Sequence, residues 1–212
     1  MTSSTRIYLI RHGQVVNHHE FRYNGHFDVD ITELGVLQMR NLAELLSEKG
    51  IKGLYSSDLQ RAYKGADMIG EGAGLTSERI FALRELYLGR WEGLTREEAV
   101  ERFPEDKDFS FRQLATDSVE GGESLVDLKA RVMPVIGDVV ERHRGESVCV
   151  VAQGGVNRVI LSDAMRLGLE NFFRIEQDYG CLNIIDYFAD GIQVVKLLNG
   201  GPNQKMLATK LY

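Results

Sequence analysis

The chain has 212 residues, 43% hydrophobic and 26% charged, with three prolines and a formal net charge of −6. That is the make-up of a globular protein of one large or two small domains, and it excludes disordered, collagenous and disulfide-scaffold classes. The acidic balance argues against a nucleic-acid or anionic-membrane binder, yet leaves a few arginines free to converge on a small anion. Cys149 and Cys181 fall in apolar strand-like runs and are expected as buried free thiols, which suits a reducing compartment. Met1 to Arg6 lacks the apolar core of a signal peptide, and no apolar stretch approaches the ~18–20 residues that span a bilayer. A cytoplasmic enzyme is the expectation.

In chain order, Ile7-Tyr8-Leu9-Ile10 predicts a central strand covered on both faces, closing on Arg11-His12-Gly13. A polar loop with His18, His19 and His26 follows, then a helix from about Thr32 with Leu34, Leu37, Leu42, Leu45 and Leu46 near one face. Leu54-Tyr55-Ser56 predicts a second strand. Ser57 to Gln60 matches a capping box for the next helix, whose inner face is Leu59, Ala62, Tyr63 and Ala66. The glycines from Gly70 to Gly74 end that helix; a dinucleotide loop would instead follow a strand. Ile80-Phe81 is expected as a third strand, and Thr95 to Glu98 caps a short helix.

Pattern weakens and charge rises over 103–122, the candidate for a lid outside the core. Ser124 to His143 is strongly helical, with Pro134 inside it as an expected kink. Ser147 to Ala152 predicts a buried strand broken by Gln153-Gly154-Gly155, with a helix to about Leu167 after it. The runs 181–188 and 192–198 are joined by Asp190-Gly191, a hairpin signal, and 200–212 reads as a loosely attached polar tail. With no repeat and no linker, 1–212 forms one domain. Its fold class is α/β, a three-layer α/β/α sandwich whose mostly parallel sheet ends in an antiparallel hairpin.

Ligands of open α/β sheets bind beyond the carboxyl ends of the strands. Arg11-His12-Gly13, Ser56-Ser57 with Arg61, and Gln153-Gly154-Gly155 fall there, and Glu85 joins them if the third strand delivers it. Guanidinium forks and helix amides match phosphate oxygens. A neutral histidine among them can attack phosphorus, and a carboxyl can protonate the departing alkoxide. His18, His19 and His26 lack the spacing of a metal site. Arg84 and Arg90 read as surface charges able to reach a polyanion, and Tyr87 and Phe111 as packing or lid residues.

Five motifs in order carry a family resemblance. They are Leu9-Ile10-Arg11-His12-Gly13-Gln14; Arg22 to His26 and on to Asp30, with Thr32 and Gly35; Ser56 to Ala62; Leu83-Arg84-Glu85 with Trp91-Glu92-Gly93; and Gly121-Gly122-Glu123-Ser124 before the long helix. Across 7–188 the chain resembles the histidine phosphatase superfamily, the phosphoglycerate-mutase-like proteins. The resemblance implies catalytic roles for His12 as the phosphorylated nucleophile and Glu85 as proton donor, with Arg11 and Arg61 holding the phosphoryl oxygens and Gly154 in the substrate-binding turn. It implies no metal and no cofactor, because arginines and amides supply the positive field.

Two departures stand out. Gln153 occupies the place of the family's second histidine, and losing one preorganised oxyanion donor costs roughly 10²–10³ in rate, of which an amide recovers part. In the loop after the nucleophile, either Asn17 or His18 stands at the family's phosphate contact. The expected partner is a small phosphorylated substrate, without nucleic acid or membrane, and a homodimer is compatible with the sequence. The resemblance at 173–181 points to α-ribazole-5′-phosphate phosphatases of cobalamin assembly, the short 103–122 region favouring hydrolysis. A phosphoglycerate mutase and an inactive phospholigand-binding protein are the alternatives.

Overall fold

Ile7 and Leu9 face one hydrophobic core while Tyr8 and Ile10 face another, the period-2 alternation of a strand covered on both sides. This strand, β1 (Ser4–Arg11), lies at the centre of a six-stranded sheet in the computed structural model, which describes residues 4–201. Of the expected polar tail, 202–212 lies outside the described residues. The sheet order is β3-β2-β4-β1-β5-β6, built from β2 (Ile51–Ser56), β3 (Glu78–Arg79), β4 (Ser147–Ala152), β5 (Leu182–Phe188) and β6 (Gln193–Gly200). β1 to β4 run parallel, β5 is antiparallel to β1, and β6 returns along β5 through the turn at Gly191 (φ 85°).

Helices cover both faces, as the pattern requires. α1 (Glu33–Leu46) and α2 (Gln60–Ala73) pack on the Tyr8/Ile10 side, and α4 (Leu125–Arg142) and α5 (Gly154–Ala164) on the Ile7/Leu9 side. α3 (Arg96–Arg102) is short and held by the full Thr95–Glu98 capping box. α4 begins on a second capping box, Ser124 with Asp127, and runs through Pro134 as one element. Both cysteines are free and buried. Among the described residues no helix is long and apolar enough to cross a membrane.

Four local expectations are corrected. Thr32 does cap α1, but Leu34 and Leu37 are exposed, and the inward face is Gly35, Met39, Leu42 and Leu46. Gly35 faces inward because its backbone touches that of Gly13 behind the end of β1, and counting leucines passes over a glycine chosen for close approach. Ser57 is no N-cap: α2 starts later, Leu59 is its N-cap without a side-chain bond, and Ser57 Oγ accepts from Leu59 N at 3.1 Å. The third strand is Glu78–Arg79, because Ile80-Phe81 already turn into a 3₁₀ segment (Phe81–Leu83). The last long helix, α5, stops at Ala164.

The region 103–122 leaves the helices and forms two 3₁₀ turns, Pro104–Asp108 and Gln113–Ala115. Arg90 pins it through both oxygens of Asp106 (3.0 and 2.6 Å) and through Glu120, while Trp91 Nε1 donates to Asp106 at 2.7 Å. Leu114 and Val119 are buried beneath it. Arg90 is thereby committed to ion pairs, as Arg84 is to Asp58.

A Cβ on Gly13 would collide with the backbone of Gly35, which no rotamer change relieves. Gly13→Ala is therefore expected to destabilise the fold by about 1–3 kcal/mol, in the range of overpacking. Urea denaturation checks this; an unchanged midpoint would contradict the close approach.

Candidate active site

The register of the three central strands brings the polar clusters together. Arg11 pairs with Ala152 and Ser56 with Val151, so His12, Ser57 and Gln153 follow the strand ends side by side. His12 is 4% exposed and its Nδ1 lies 2.8 Å from the Gly13 carbonyl. A carbonyl only accepts, so Nδ1 carries the proton and Nε2 keeps its lone pair. Burial first, then the Arg61 and Arg11 charges, hold the His12 pKa well below its ordinary value. The imidazole is neutral and poised as a nucleophile.

Arg61, the second residue of α2, is 1% exposed. It gives three hydrogen bonds to loop carbonyls, from Nη1 to Phe27 (2.9 Å) and from Nη2 to Asn24 and Gly25 (both 2.6 Å). The loop thus wraps one face of the guanidinium, and burial lowers its pKa while Glu85 and Asp28 oppose that. Arg11 stacks its guanidinium 4.0 Å over the Tyr179 ring and donates through Nη1 to the Gln177 carbonyl. Its Nε is buried without a partner among the described residues.

Glu85 follows the 3₁₀ turn after β3. Its carboxylate accepts from Leu86 N (2.8 Å) and from Gly155 N (2.9 Å) at the start of α5. The Glu85 carbonyl is held from behind by His26 Nε2 (3.0 Å) and Arg131 Nη2 (3.2 Å). Arg131 also reaches the carbonyls of Ala82 and Arg84 and is ion-paired with Glu123, whose other role is to accept from Tyr87 N. Glu92 accepts from Phe27 N and Leu88 N, while Tyr23 stacks on Trp91 at 5.1 Å and 22°. The Trp91-Glu92-Gly93 motif therefore fastens the loop carrying Asn24 and Gly25 to the segment carrying Glu85.

Arg11, His12, Arg61, Glu85 and Gly155 line one cavity of about 220 Å³, whose remaining wall includes Leu86, Leu88, Leu114, Phe111, Phe172 and Phe173. A wider chamber of about 920 Å³ opens from it, sharing Arg11, Arg22, Tyr23, Asn24, Phe111, Arg158 and Tyr179. Asn17 and His18 line only this outer chamber. Asn17 is locked in a reciprocal amide pair with Asn24 (2.9 and 2.8 Å), and His18 Nδ1 donates to the Val15 carbonyl (3.1 Å). Gln153 is fully buried and its Nε2 donates to Ser57 Oγ at 3.0 Å, leaving Oε1 unpartnered. Neither Gln153 nor Gly154 lines either cavity. No group of three or more metal-ligand side chains occurs among the described residues.

A family model of the histidine phosphatase superfamily (branch 1) matches residues 7–200. The chain belongs to that superfamily. A bifunctional protein of Mycobacterium tuberculosis is 34% identical over 198 residues, 92% of this chain and 54% of its own. The chain thus spans about half the length of that relative. The glucosyl-3-phosphoglycerate phosphatase of the same species is 34% identical over 175 residues, 79% of this chain and 78% of its own. A solved structure of the mycobacterial enzyme of that name, complexed with VO3, superposes with a TM-score of 0.83 at 29% identity, covering 92% of this chain and 99% of that one. The α-ribazole phosphatase of Shigella flexneri shares the fold, with a TM-score of 0.84 over 92% of this chain and 96% of its own, at 24% identity.

The sequence motifs include Arg22 without a site role, and Arg158, Phe172 and the place of Tyr179 were passed over. Arg158 was open to inference, since it lies four residues after Gly154 in α5 and helix side chains lean towards the N-terminus. Arg22 and Tyr179 depend on loop paths that periodicity does not encode.

The His12 environment is measurable without substrate. Imidazole NMR titration is expected to place its pKa well below 6.5; a value at or above 6.5 would contradict the buried, cation-flanked setting. The sign for stability follows: the unfolded state takes a proton near pH 6.5 that the native state refuses. This contribution is full above that pH and is lost as pH falls below it.

Proposed function

We propose that the chain hydrolyses small phosphomonoesters through a phosphohistidine on His12. The observation that carries this reading is one cavity walled by a neutral imidazole with Nε2 free, the guanidiniums of Arg11 and Arg61 among its arginines, and the Glu85 carboxyl. His12 Nε2 attacks phosphorus, the P–O ester bond breaks, and the departing oxygen takes the proton of Glu85. Water then attacks the phosphohistidine, Glu85 accepts the water proton, and the P–N bond breaks to return the lone pair to Nε2. Arg11 and Arg61 balance the equatorial oxygens throughout.

Water as the acceptor is supported by the wide outer chamber, which keeps the inner cavity open to solvent. For the leaving group, α-ribazole-5′-phosphate or a similarly shaped ester is our reading. Phe173 and Tyr179, from the 173–181 segment, put aromatic rings on the cavity wall where a planar base can stack. Such a substrate would place the chain in cobalamin assembly.

Gln153 supports a second reading, a phospholigand-binding protein with little turnover. Its amide is spent on Ser57, so the place implied for a charged donor holds a neutral group turned away. Phosphate release from a panel of phosphomonoesters, before and after Gln153→His, separates the two. Hydrolysis by the unaltered chain, raised by roughly 10² in the variant, supports catalysis. Release from no ester by either protein would contradict it, and transfer to a second hydroxyl without release would mark a mutase.

A further inference from the structure

Arg158 stands where both cavities meet, although no motif singles it out. Its stem is fixed: Nε donates to the Ile175 carbonyl at 2.7 Å, and Nη2 lies 3.4 Å from an exposed oxygen of Glu176. Nη1 makes no hydrogen bond among the described residues. A side chain four residues into α5 leans back over the start of the helix, so this free nitrogen overhangs Gly154.

Space and charge at that point are specific. A Cβ built on Gly154 would stand 3.4 Å from Arg158 Nη1, 3.4 Å from Arg11 Nε and 3.6 Å from Arg11 Cζ, with nothing nearer. The two guanidiniums therefore converge over the Gly154 backbone, which itself lines neither cavity, while both arginines line the inner one. Arg11 Nε is the buried donor left without a partner. A buried donor of this kind costs about 1–3 kcal/mol unless something accepts from it. Two like charges side by side add to that cost, and an oxyanion in the cavity they both line offsets the repulsion.

Resting on the phosphomonoesterase reading, we propose that Arg158 is a further guanidinium of the phosphate pocket, its free Nη1 donating to a phosphoryl oxygen in the cavity that it lines beside Arg11. Arg158 then meets the phosphoryl group together with Arg11 and Arg61. Arg158 is thereby a substrate-binding residue as well as a clasp on the 172–179 segment.

Calorimetric titration with inorganic phosphate, a probe that needs no turnover, tests this on two variants. Arg158→Met is expected to weaken binding by ~10-fold or more, the loss of a charge-assisted hydrogen bond. Arg158→Lys, which keeps the charge but not the Ile175 clasp, is expected to retain much of the affinity; a merely structural role predicts equal damage from Lys and Met. If the unaltered chain binds phosphate and Arg158→Met binds it equally well, the Arg158 assignment is overturned and the phosphate pocket stands. If the unaltered chain binds no phosphate at all, the pocket itself fails, and the assignment with it.

Discussion

One hydrogen bond governs the site, that from His12 Nδ1 to the carbonyl of the next residue. It selects the tautomer that leaves Nε2 unprotonated and turns the ring towards the cavity. Two guanidiniums and near-complete burial then keep a second proton off. The same cations that suppress the imidazolium attract a phosphate dianion. A neutral imidazole and an oxyanion ligand are thus favoured by one electrostatic arrangement, and an acidic chain can hold a cationic pocket without being basic overall.

The rest of the molecule keeps that arrangement from moving. The parallel register of β1, β4 and β2 sets the strand ends level, and the Gly13–Gly35 contact lets α1 close behind the histidine. Loops are fastened by side chains acting on backbone. Arg61 gathers three carbonyls, Arg131 with Glu123 grips the 82–87 segment, and Glu92 ties that segment to the loop at Phe27. The Arg61 and Arg131 clasps are half-buried or buried, where charge-assisted bonds to carbonyls resist competition from water. The 103–122 region is anchored in the same way by Arg90 and Asp106, and it contributes Phe109 and Phe111 to the chamber wall.

The strand plan was legible because apolar runs with short loops leave little freedom, and His12, Arg61 and Glu85 were legible because their neighbours form recognisable motifs. What escaped did so for physical reasons. Leu34 and Leu37 misled because an inward glycine, not a leucine, sets the face of α1. Ser57 has the right chemistry for a cap, yet helix α2 starts beyond it, and its hydroxyl serves Gln153 instead. Asn17 and His18 could not be separated by sequence, and both are occupied by loop-internal bonds. Tyr179 reaches the cavity through tertiary proximity that no local pattern announces, whereas Arg158 lies one helical turn beyond Gly154 in α5.

Covalent capture of phosphorus by His12 is the central claim. Mixing the protein with a reactive phosphomonoester, quenching in alkali where phosphohistidine persists, and sequencing the peptides by mass spectrometry tests it directly. One phosphoryl group on the peptide holding His12, absent from His12→Ala, is the predicted result. Ester hydrolysis with no phosphoryl group on His12, or undiminished in His12→Ala, would contradict the account.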